Sequence, residues 1–459
     1  MWVGSDDGLV HLTQDGGKTW ANVTPKNLPE WMMINSVDPS PFDPATCYIA
    51  GTRYKMGDFT PYLYKTNDYG ATWQKITKGI AKEHFSRVLR ADPKRKGLLY
   101  AGTETGMYIS FDDGANWKPF QNNLPIVPVT DLTLKDNSLI VATQGRSLWM
   151  IDDLSVLHQL EVNDNATQLQ LFTPKASYRM GARGGRSSKT AGTNLPGGVQ
   201  LHYYLKNYDA EKDSLSLTLM EADGTVIKTF SNHDKKNPLK ATAKGNTFSW
   251  NLRYPGAKKL PGMILWGASL SGARAVPGTY KAQLTHNGNA VETEFELLPD
   301  PRSELTVAQM QAQFDFVMQI NATIDEAHTA IENIRKINKK LADFQANFKE
   351  HEAAKDLIAQ SKSLQQQLGT IEKALYQTKN RSNQDPLNFP IKLTNKLGHI
   401  SNLVMISDYP PTAQDEMVRK ELTTQIDAHL ATYEQLMNKD VKAFNAAFAQ
   451  LQLDYLSTP

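Results

Sequence analysis

Carboxylates in the loops of the first 150 residues are the groups of this chain best suited to acid–base chemistry. A glycosidase needs two of them, one on each side of the scissile bond. An exposed acidic side chain is more often solvated than catalytic. Carboxylates therefore make a glycoside hydrolase one candidate without establishing it. The candidates are Glu30, Asp58, Glu83 and Glu104.

Arginine and aromatic side chains share these loops. Arg53, Arg87 and Arg146 come from three successive repeats and could grip a ligand carboxylate with charge-assisted hydrogen bonds. Trp31 and Tyr54 add flat apolar surface beside them. A role for these arginines on the surface or between repeats is the alternative. The sialidase segment Phe/Tyr-Arg-Ile-Pro does not occur in the sequence, which weakens the sialidase interpretation.

A motif that occurs three times defines the elements that position these loops. It reads Ser/Thr-x-Asp-x-Gly-x-(Thr/Asn)-Trp, with spacings typical of four-stranded propeller blades. Its aspartate can accept turn N–H bonds, its glycine supplies a positive φ, and its tryptophan anchors neighbouring blades. Because the motif joins the third and fourth strands, its aspartates are structural and face away from the candidate loops. The three Asp boxes contain Asp15, Gly17 and Trp20, then Asp68, Gly70 and Trp73, then Asp112, Gly114 and Trp117.

The loops opposite the Asp boxes should form any ligand-binding face. They comprise the turns between second and third strands and the connections between blades. Innermost strands are predicted at 32–38, 85–91 and 129–134, and Trp2-Val3-Gly4 has none before it. We therefore expect this sequence to contain about three and a half blades. We also expect N-terminal blades, or a partner that supplies them, to lie outside this sequence. The predicted binding face consists of Glu30, Trp31, Arg53, Tyr54, Lys55, Asp58, Glu83, His84, Arg87, Glu104, Gln144 and Arg146.

Two further domains follow the partial propeller of residues 1–165. Alternating apolar runs between 200 and 297, with an Asp-Gly turn at Asp223-Gly224, predict a β-sandwich over 166–300 of fibronectin type III-like form. Apolar residues at three- and four-residue spacings then predict an α-helical hairpin or bundle over 301–459, with a capping box at Thr306 to Gln309. The fold class is thus multidomain, mainly β and then α.

Composition removes several functional classes. A net charge of +2 in 459 residues, without blocks of one sign, argues against nucleic-acid binding. Cys47 is the single cysteine, so it is expected to be a small buried residue and not part of a disulfide or thiolate metal site. Neither metal-ligand pairs nor phosphate-binding or nucleophile-elbow motifs occur, so we expect no metal and no cofactor. No run is long enough to span a bilayer, and Met1-Trp2-Val3-Gly4-Ser5 does not resemble a signal peptide.

Together with the Asp boxes, four segments make the chain resemble large bacterial Asp-box (BNR-repeat) proteins with a sortilin/Vps10-like propeller, which are often labelled glycosyl hydrolases. The chain departs from the family at its N-terminus, where a signal peptide and most blades are absent. The resemblance implies a periplasmic or extracellular place of action. The segments are Ala142 to Trp149, Trp250 to Gly256, Pro277 to Tyr280 and Asp300 to Arg302.

Three functions are compatible with these observations. The resemblance favours a receptor-like propeller that binds a peptide, a glycan or a protein partner. A sialidase- or xyloglucanase-like hydrolase is the second, and a structural part whose activity resides in other blades is the third. The sequence does not name the ligand and leaves enzymatic activity open.

Overall fold

The computed structural model describes residues 1–161, 167–180, 192 and 196–451. The chain divides into two compact units, Met1–Lys175 and Ala176–Pro459. The first unit is built from β-strands and the second from strands followed by helices. The mainly β and then α organisation predicted from the sequence is confirmed.

Four consecutive antiparallel sheets form most of the first unit, and each is a meander of sequential strands. The first sheet contains β1 (Trp2–Gly4), β2 (Val10–Leu12) and β3 (Ala21–Asn22), and the second contains β4 (Met33–Pro39), β5 (Cys47–Arg53), β6 (Asp58–Thr66) and β7 (Gln74–Lys75). The third contains β8 (Ser86–Ala91), β9 (Leu99–Thr103), β10 (Gly106–Ser110) and β11 (Lys118–Pro119), and the fourth contains β12 (Val129–Lys135), β13 (Ser138–Thr143) and β14 (Leu148–Ile151). A short helix, α1 (Ser155–Gln159), and β15 (Leu169–Leu171) follow.

The sheets occur where the repeat predicts them. Strands β4, β8 and β12 match the three predicted innermost strands within one or two residues. Each Asp box lies in the turn between the last two strands of its sheet, which are the third and fourth strands of the second and third sheets and the second and third strands of the first. The propeller-type repeat is therefore confirmed. Among the described residues the sheets do not close into a ring, and the assignment as a partial propeller stays a prediction.

Close packing and one arginine hold the innermost strands together. A Cβ placed on Gly102 in β9 would lie 2.6 Å from methyl carbons of both Val88 and Val129, so glycine allows β8 and β12 to approach. The Arg90 guanidinium of β8 donates to Ser36 Oγ in β4 at 2.6 Å and to Asp131 Oδ1 in β12 at 2.8 Å. Three sheets are therefore linked at their inner edges. Cys47 is fully buried in β5, as predicted.

Two sheets make the β part of the second unit. The larger one orders its strands β16, β22, β21, β18 and β19, and β17 pairs with β20. The Trp250 ring of β20 lies 5.4 Å from the Tyr280 ring and 6.2 Å from the Phe295 ring, which belong to the larger sheet. Aromatic packing thus joins the two sheets, and the assignment of a β-sandwich of fibronectin type III-like form stays a prediction. The strands are β16 (Ser177–Tyr178), β17 (Val199–Leu205), β18 (Leu215–Glu221), β19 (Val226–Ser231), β20 (Lys244–Trp250), β21 (Gly278–His286) and β22 (Asn289–Leu298).

Five α-helices complete the described part of the second unit. The predicted capping box begins the first of them, since Thr306 Oγ1 accepts from the Gln309 N–H and the Gln309 side chain accepts from the Thr306 N–H. A π-helical turn, Leu436–Val441, connects the last two helices. The helices are α2 (Val307–Asn347), α3 (Lys355–Leu375), α4 (Leu393–Val404), α5 (Ala413–Gln435) and α6 (Lys442–Gln450).

The loop between β20 and β21 packs into the helical core. Leu260, Met263 and Ala273 belong to the same apolar cluster as Ile320, from α2, and Leu397, from α4. The β part and the helices of the second unit therefore share one core. The predicted boundary between 165 and 166 lies outside the described residues, and the division into three domains stays a prediction.

Candidate functional site

Loops from the first two sheets enclose a cavity of about 280 Å³ at the end opposite the Asp boxes. The β5–β6 connection supplies Arg53 and Tyr54, and the β3–β4 connection supplies Trp31. Since β6 runs from Asp58 to Thr66, this loop and the second Asp box lie at opposite ends of one strand. We call this cavity the Trp31 cleft; it is lined by Asp6, Trp31, Met33, Thr52, Arg53, Tyr54, Lys55 and Met56.

Trp31 is the most prominent side chain of the cleft. Its side chain is 67% exposed, whereas large apolar side chains are usually buried. Its φ of 59° places a bulky residue in the left-handed region, which is uncommon outside turns and functional sites. An exposed indole held in a strained backbone provides a flat surface on which a ligand can stack.

Two buried polar atoms of residues that line the cleft have no hydrogen-bond partner among the described residues. Thr52 is only 2% exposed, and its Oγ1 makes no hydrogen bond to any described residue. The Nε of Arg53 is likewise buried and without a partner in the described part of the chain. Thr103, at the equivalent repeat position in β9, donates from Oγ1 to the Gly106 carbonyl at 2.9 Å. The hydroxyl is thus bonded in one sheet and left unpaired in the sheet that lines the cleft.

Ion pairs and stacked rings support the wall behind the cleft. The Arg53 Nη1 lies 3.2 Å from Asp58 Oδ2, and Arg87 Nη2 lies 2.6 Å from Glu104 Oε2. The Tyr54 ring stacks on Phe85 with centroids 5.2 Å apart. These contacts fix the side chains that line or flank the cleft.

The Asp58 carboxylate is held ionised. Partial burial alone would raise the pKa of Asp58, but hydrogen bonds from Tyr62, Thr60 and Arg53 outweigh it and lower the pKa. The Tyr62 hydroxyl donates to Asp58 Oδ2 at 2.7 Å. A carboxylate with a lowered pKa is a poor general acid near neutral pH.

The structure brings together part of the predicted face. Trp31, Arg53 and Tyr54 line the cleft, and Asp58 lies next to it through its pair with Arg53. Arg87 reaches the same wall, since its guanidinium lies 5.6 Å from the Tyr54 ring centroid.

Other members of the predicted face stay outside the cavity. Glu30 is exposed beside Trp31, and Arg146 is exposed in the fourth sheet. Glu104 reaches the cleft wall only through its pair with Arg87. Lys55 also lines the cleft, whereas Glu83, His84 and Gln144 do not. A ligand-binding role for the twelve residues of the predicted face stays a prediction.

Sequence reasoning missed Asp6, Met33, Thr52 and Met56. The register between repeats could have identified Thr52, because Gly51-Thr52 in β5 corresponds to Gly102-Thr103 in β9. Its missing hydrogen bond depends on the β5–β6 connection, where a 3₁₀ turn (Tyr54–Met56) replaces the tight β9–β10 turn. No residue pattern reveals this.

The Asp boxes at the other end of the sheets are fully bonded turns. In the second box, Asp68 Oδ1 accepts from the Thr72 N–H at 2.9 Å, and Oδ2 accepts from the Thr72 hydroxyl at 2.6 Å. Hydrogen bonds from Thr72 and Thr66 lower the pKa of Asp68. The Trp73 Nε1 donates across to the Val23 carbonyl of the preceding sheet at 2.7 Å.

The first and third boxes repeat this carboxylate bonding. Asp15 accepts from Thr19, which lowers the pKa of Asp15, and Asp112 accepts from Asn116. Trp117 Nε1 donates to the Ile76 carbonyl at 2.7 Å. The three box aspartates therefore bond within their own turns, and their structural role stays a prediction.

The described residues contain neither a cluster of metal-binding side chains nor a helix that could span a membrane. No group of three or more His, Cys, Asp or Glu side chains is arranged to hold a metal ion among them. Within the same ranges, no helix has the length and apolar character required to cross a membrane.

Comparisons with known proteins agree with the repeat. Residues 8–164 match the family described as sortilin, neurotensin receptor 3 (Sortilin-Vps10), over roughly a third of the chain. The resemblance to Asp-box, sortilin-like propeller proteins is thereby confirmed for the β-rich first unit. A curated relative, a probable oligoxyloglucan-reducing end-specific xyloglucanase of Neosartorya fischeri, is 26% identical over 106 residues. That alignment covers 22% of this chain and 13% of the relative.

Solved structures give only distant likenesses. YCF48 bound to D1 peptide is 14% identical with a TM-score of 0.25, over 65% of this chain and 89% of that one. The GH74 enzyme of Niastella koreensis is 12% identical with a TM-score of 0.28, over 64% of this chain and 43% of that one. Both TM-scores are too low for either structure to support a conclusion about this chain.

Proposed function

We propose that this protein is a non-catalytic binding protein whose propeller-type unit holds a peptide segment of a partner in the Trp31 cleft. The observation that carries the proposal is the buried, unbonded Thr52 hydroxyl in the lining of a cavity that also contains the exposed, strained Trp31. Buried polar groups are normally bonded, so an unbonded one beside an open cavity is a position where a ligand atom would bond. The family match over residues 8–164 supports the same reading.

The lining indicates the ligand's chemistry. Trp31 and Tyr54, with the thioethers of Met33 and Met56, form an apolar surface that adapts to a side chain. Lys55 contributes a positive charge, and Arg53 adds a second one that its pair with Asp58 partly neutralises, while Asp6 supplies a carboxylate to the lining. A peptide with an apolar side chain next to an acidic group fits this combination better than a neutral glycan does.

A glycoside hydrolase is the second candidate, because of the 26% identity to a probable xyloglucanase over 106 residues. Two of the four candidate carboxylates argue against it. Asp58 and Glu104 are each paired with an arginine, and the pKa of Asp58 is lowered. A glycosidase needs one carboxyl group that stays protonated near neutral pH.

A binding screen on the full chain tests the proposal, using a peptide library with acidic and apolar positions varied and a glycan array. We expect saturable peptide binding that Trp31→Ala weakens by roughly tenfold, because a stacked aromatic anchor is worth about 1–2 kcal/mol. Trp20→Ala is the matched control, since Trp20 is a partly exposed tryptophan at the Asp-box end of the sheets and does not line the cleft. Equal binding by the Trp31→Ala protein and the unmodified protein would refute the proposed site.

Product release on every glycan hit tests the hydrolase. Glu104→Gln removes the charge of a loop carboxylate while keeping its shape. If sugar is released and this variant abolishes the release, the protein is an enzyme and the binding proposal fails. Peptide binding without turnover supports the receptor function.

We further propose that the protein acts in the periplasm or outside the cell. The support is the resemblance of its first unit to sortilin-like propeller proteins over residues 8–164. Cell fractionation of the source organism with an antibody against the helical part of the chain tests this. Recovery of the protein only with cytoplasmic markers would contradict it.

A further inference from the structure

The second and third sheets enclose another cavity, at the Asp-box end of the first unit. Its volume is about 290 Å³, similar to that of the Trp31 cleft. The β4–β5 turn carries Phe42 and Asp43 into its lining, and the β8–β9 turn carries Lys96. We call this cavity the Phe42 pocket; the side chains that concern ligand binding are those of Phe42, Asp43, Lys65, Asn67, Lys96 and Asp113.

Two of these side chains occupy variable positions of the Asp boxes. Asn67 stands directly before the box aspartate of the second box, and Asp113 directly after that of the third. The first and second boxes have Gly16 and Tyr69 where the third has Asp113. The Phe42 pocket is therefore particular to this pair of sheets, and the repeat itself does not require it.

The Asp113 carboxylate reaches from the third sheet to the second. Its Oδ1 accepts from the Tyr48 hydroxyl, and its Oδ2 pairs with the Lys65 ammonium. A carboxylate offers about four acceptor positions, so each oxygen can accept a further hydrogen bond. The Asp113 side chain is 31% exposed, which leaves it open to a ligand in the cavity.

The charges of the lysines and of the accessible carboxylates balance. Lys65 pairs with Asp113, and Lys96 lies near Asp43. Hydrogen bonds within the β4–β5 turn, first of all from Thr46, and then the charges of Lys96 and Lys65 lower the pKa of Asp43. Two ammonium groups thus face two carboxylates, an arrangement that favours neither an anion nor a cation as the ligand.

A further lining carboxylate, that of Asp92, is already fully bonded. Its Oδ1 accepts from the N–H groups of Lys94 and Arg95 at 2.8 and 3.0 Å. Its Oδ2 accepts from the Tyr100 hydroxyl at 3.1 Å and lies 2.9 Å from His158 Nε2. Asp92 is only 1% exposed, so this carboxylate belongs to the fold and is not available to a ligand.

Unused hydrogen-bond donors lie beside the accessible carboxylates. The Asn67 Oδ1 accepts from the Thr46 hydroxyl at 3.1 Å, while its NH₂ group donates to no described residue. The Lys96 ammonium likewise makes no hydrogen bond or ion pair within the described ranges, and it is exposed. Phe42, which is 43% exposed, adds an apolar ring to this polar lining. Hydroxyl groups suit such a mixture, because each of them both donates and accepts.

We propose that the Phe42 pocket binds a small neutral ligand rich in hydroxyl groups, such as a single sugar unit. The ligand hydroxyls would donate to Asp43 and Asp113 and accept from Asn67 and Lys96, while an apolar ring face packs on Phe42. The cavity is near the lower end of the size range of small-molecule sites, which suits one such ring. The site lies at the other end of the sheets from the Trp31 cleft and does not depend on the function of that cleft.

Binding of small sugars and polyols to the full chain tests the proposal. Ligand-observed NMR and calorimetry are run with methyl glucoside, methyl galactoside and myo-inositol as neutral probes. A sugar phosphate and glucosamine are the charged analogues. We expect at least one neutral probe to bind with saturation, more tightly than either charged analogue and with little dependence on salt. The order of the neutral probes distinguishes a sugar from a carbocyclic polyol.

Two variants of exposed side chains locate the binding. Phe42→Ala removes the apolar ring and should weaken binding roughly fivefold. Asn67→Asp keeps the oxygen that accepts from Thr46 but removes the two donors, so it should also weaken binding roughly fivefold. Phe59→Ala is the matched control, since Phe59 is 50% exposed and does not line the pocket. Its affinity for the neutral probe should equal that of the unmodified protein.

Other outcomes would overturn the proposal. They are no saturable binding of any neutral probe, tighter binding of a charged analogue, or equal affinity of the Phe42→Ala and Phe59→Ala proteins. Trp31→Ala should leave the affinity for the neutral probe unchanged, and a loss there would assign the sugar to the Trp31 cleft instead. Thermal midpoints establish that each variant is folded. If Asn67→Asp fails to fold, the comparison of the two phenylalanine variants still decides the question.

Discussion

The two ends of the sheets in the first unit differ in how fully their polar groups are bonded. At the Asp-box end, both carboxylate oxygens of Asp68 accept hydrogen bonds, and the Trp73 indole N–H reaches the preceding sheet. At the other end, the Thr52 hydroxyl is unbonded and Trp31 is exposed. Complete bonding stabilises a fold, whereas incomplete bonding leaves capacity for a ligand. The comparison separates repeated, structural residues from non-repeated, candidate binding residues.

Removal of a buried Asp-box tryptophan should give the largest effect on stability. Trp117 is 3% exposed and bonds to the Ile76 carbonyl, so Trp117→Ala should lower the free energy of unfolding by about 3–5 kcal/mol. Trp20, its counterpart in the first box, is 43% exposed, and Trp20→Ala should cost clearly less. Chemical denaturation of both variants measures the difference. Equal losses would contradict the assignment of these tryptophans as anchors between sheets.

Asp-box glycines should rank next, with a contrast between two positions. A Cβ on Gly70 would lie 2.6 Å from Val23 Cβ, and its φ is 83°. Gly70→Ala should therefore destabilise by about 2–4 kcal/mol, from backbone strain together with overpacking. Gly16 has a φ of 76° but open space around it, so Gly16→Ala should cost only about 1 kcal/mol. Thermal or denaturant unfolding would show whether close packing between sheets sets this order.

Acid sensitivity should follow the Asp boxes. Because hydrogen bonds lower the pKa of Asp68 in the folded state, its ionisation stabilises the fold above the unfolded-state pKa. That contribution is lost as the pH falls through the folded-state pKa. Asp68→Asn should thus lower the thermal midpoint at pH 7. It should also make the midpoint decline less steeply between about pH 4, the ordinary pKa of Asp, and about pH 2.

Asp136→Asn is the control for this measurement, since Asp136 is exposed in the turn between β12 and β13. Its midpoint should follow the unmodified protein at every pH. A decline of the Asp68→Asn protein as steep as that of the unmodified protein would show that the box carboxylate does not contribute.

The two ends of the sheets also differ in how much of their structure the sequence predicts. The Asp boxes were predictable because their bonds are local: Asp68 and Thr72 are four residues apart, and the motif repeats. Trp31, Arg53 and Tyr54 could be placed on one face because strand order fixes which loops share an end. Arg87–Glu104 and Arg53–Asp58 were not predicted as pairs, since rotamers decide such contacts between loop residues.

Long-range contacts of the second unit were harder to predict from the sequence. The helices and the capping box at Thr306 followed from apolar spacing and local residue types. Asp408 pairs with both Arg179 and Arg274, and no local pattern connects these three residues. The shared core between the β20–β21 loop and the helices likewise depends on tertiary packing.

The smallest effect should separate two equivalent threonines. Thr103→Val removes a hydroxyl that donates to the Gly106 carbonyl, so it should destabilise by about 1 kcal/mol. Thr52→Val replaces an unbonded buried hydroxyl with a methyl group of similar shape, so stability should stay equal or rise by up to about 1 kcal/mol. The same Thr52→Val change should weaken binding in the Trp31 cleft.

Denaturation and ligand titration of both threonine variants measure these effects side by side. A protein that is more stable yet binds less well is expected where a polar group is kept unbonded for a ligand. If Thr52→Val destabilises as much as Thr103→Val does, the hydroxyl has a bonding partner within the fold. The difference between the two ends of the sheets would then no longer identify the binding site.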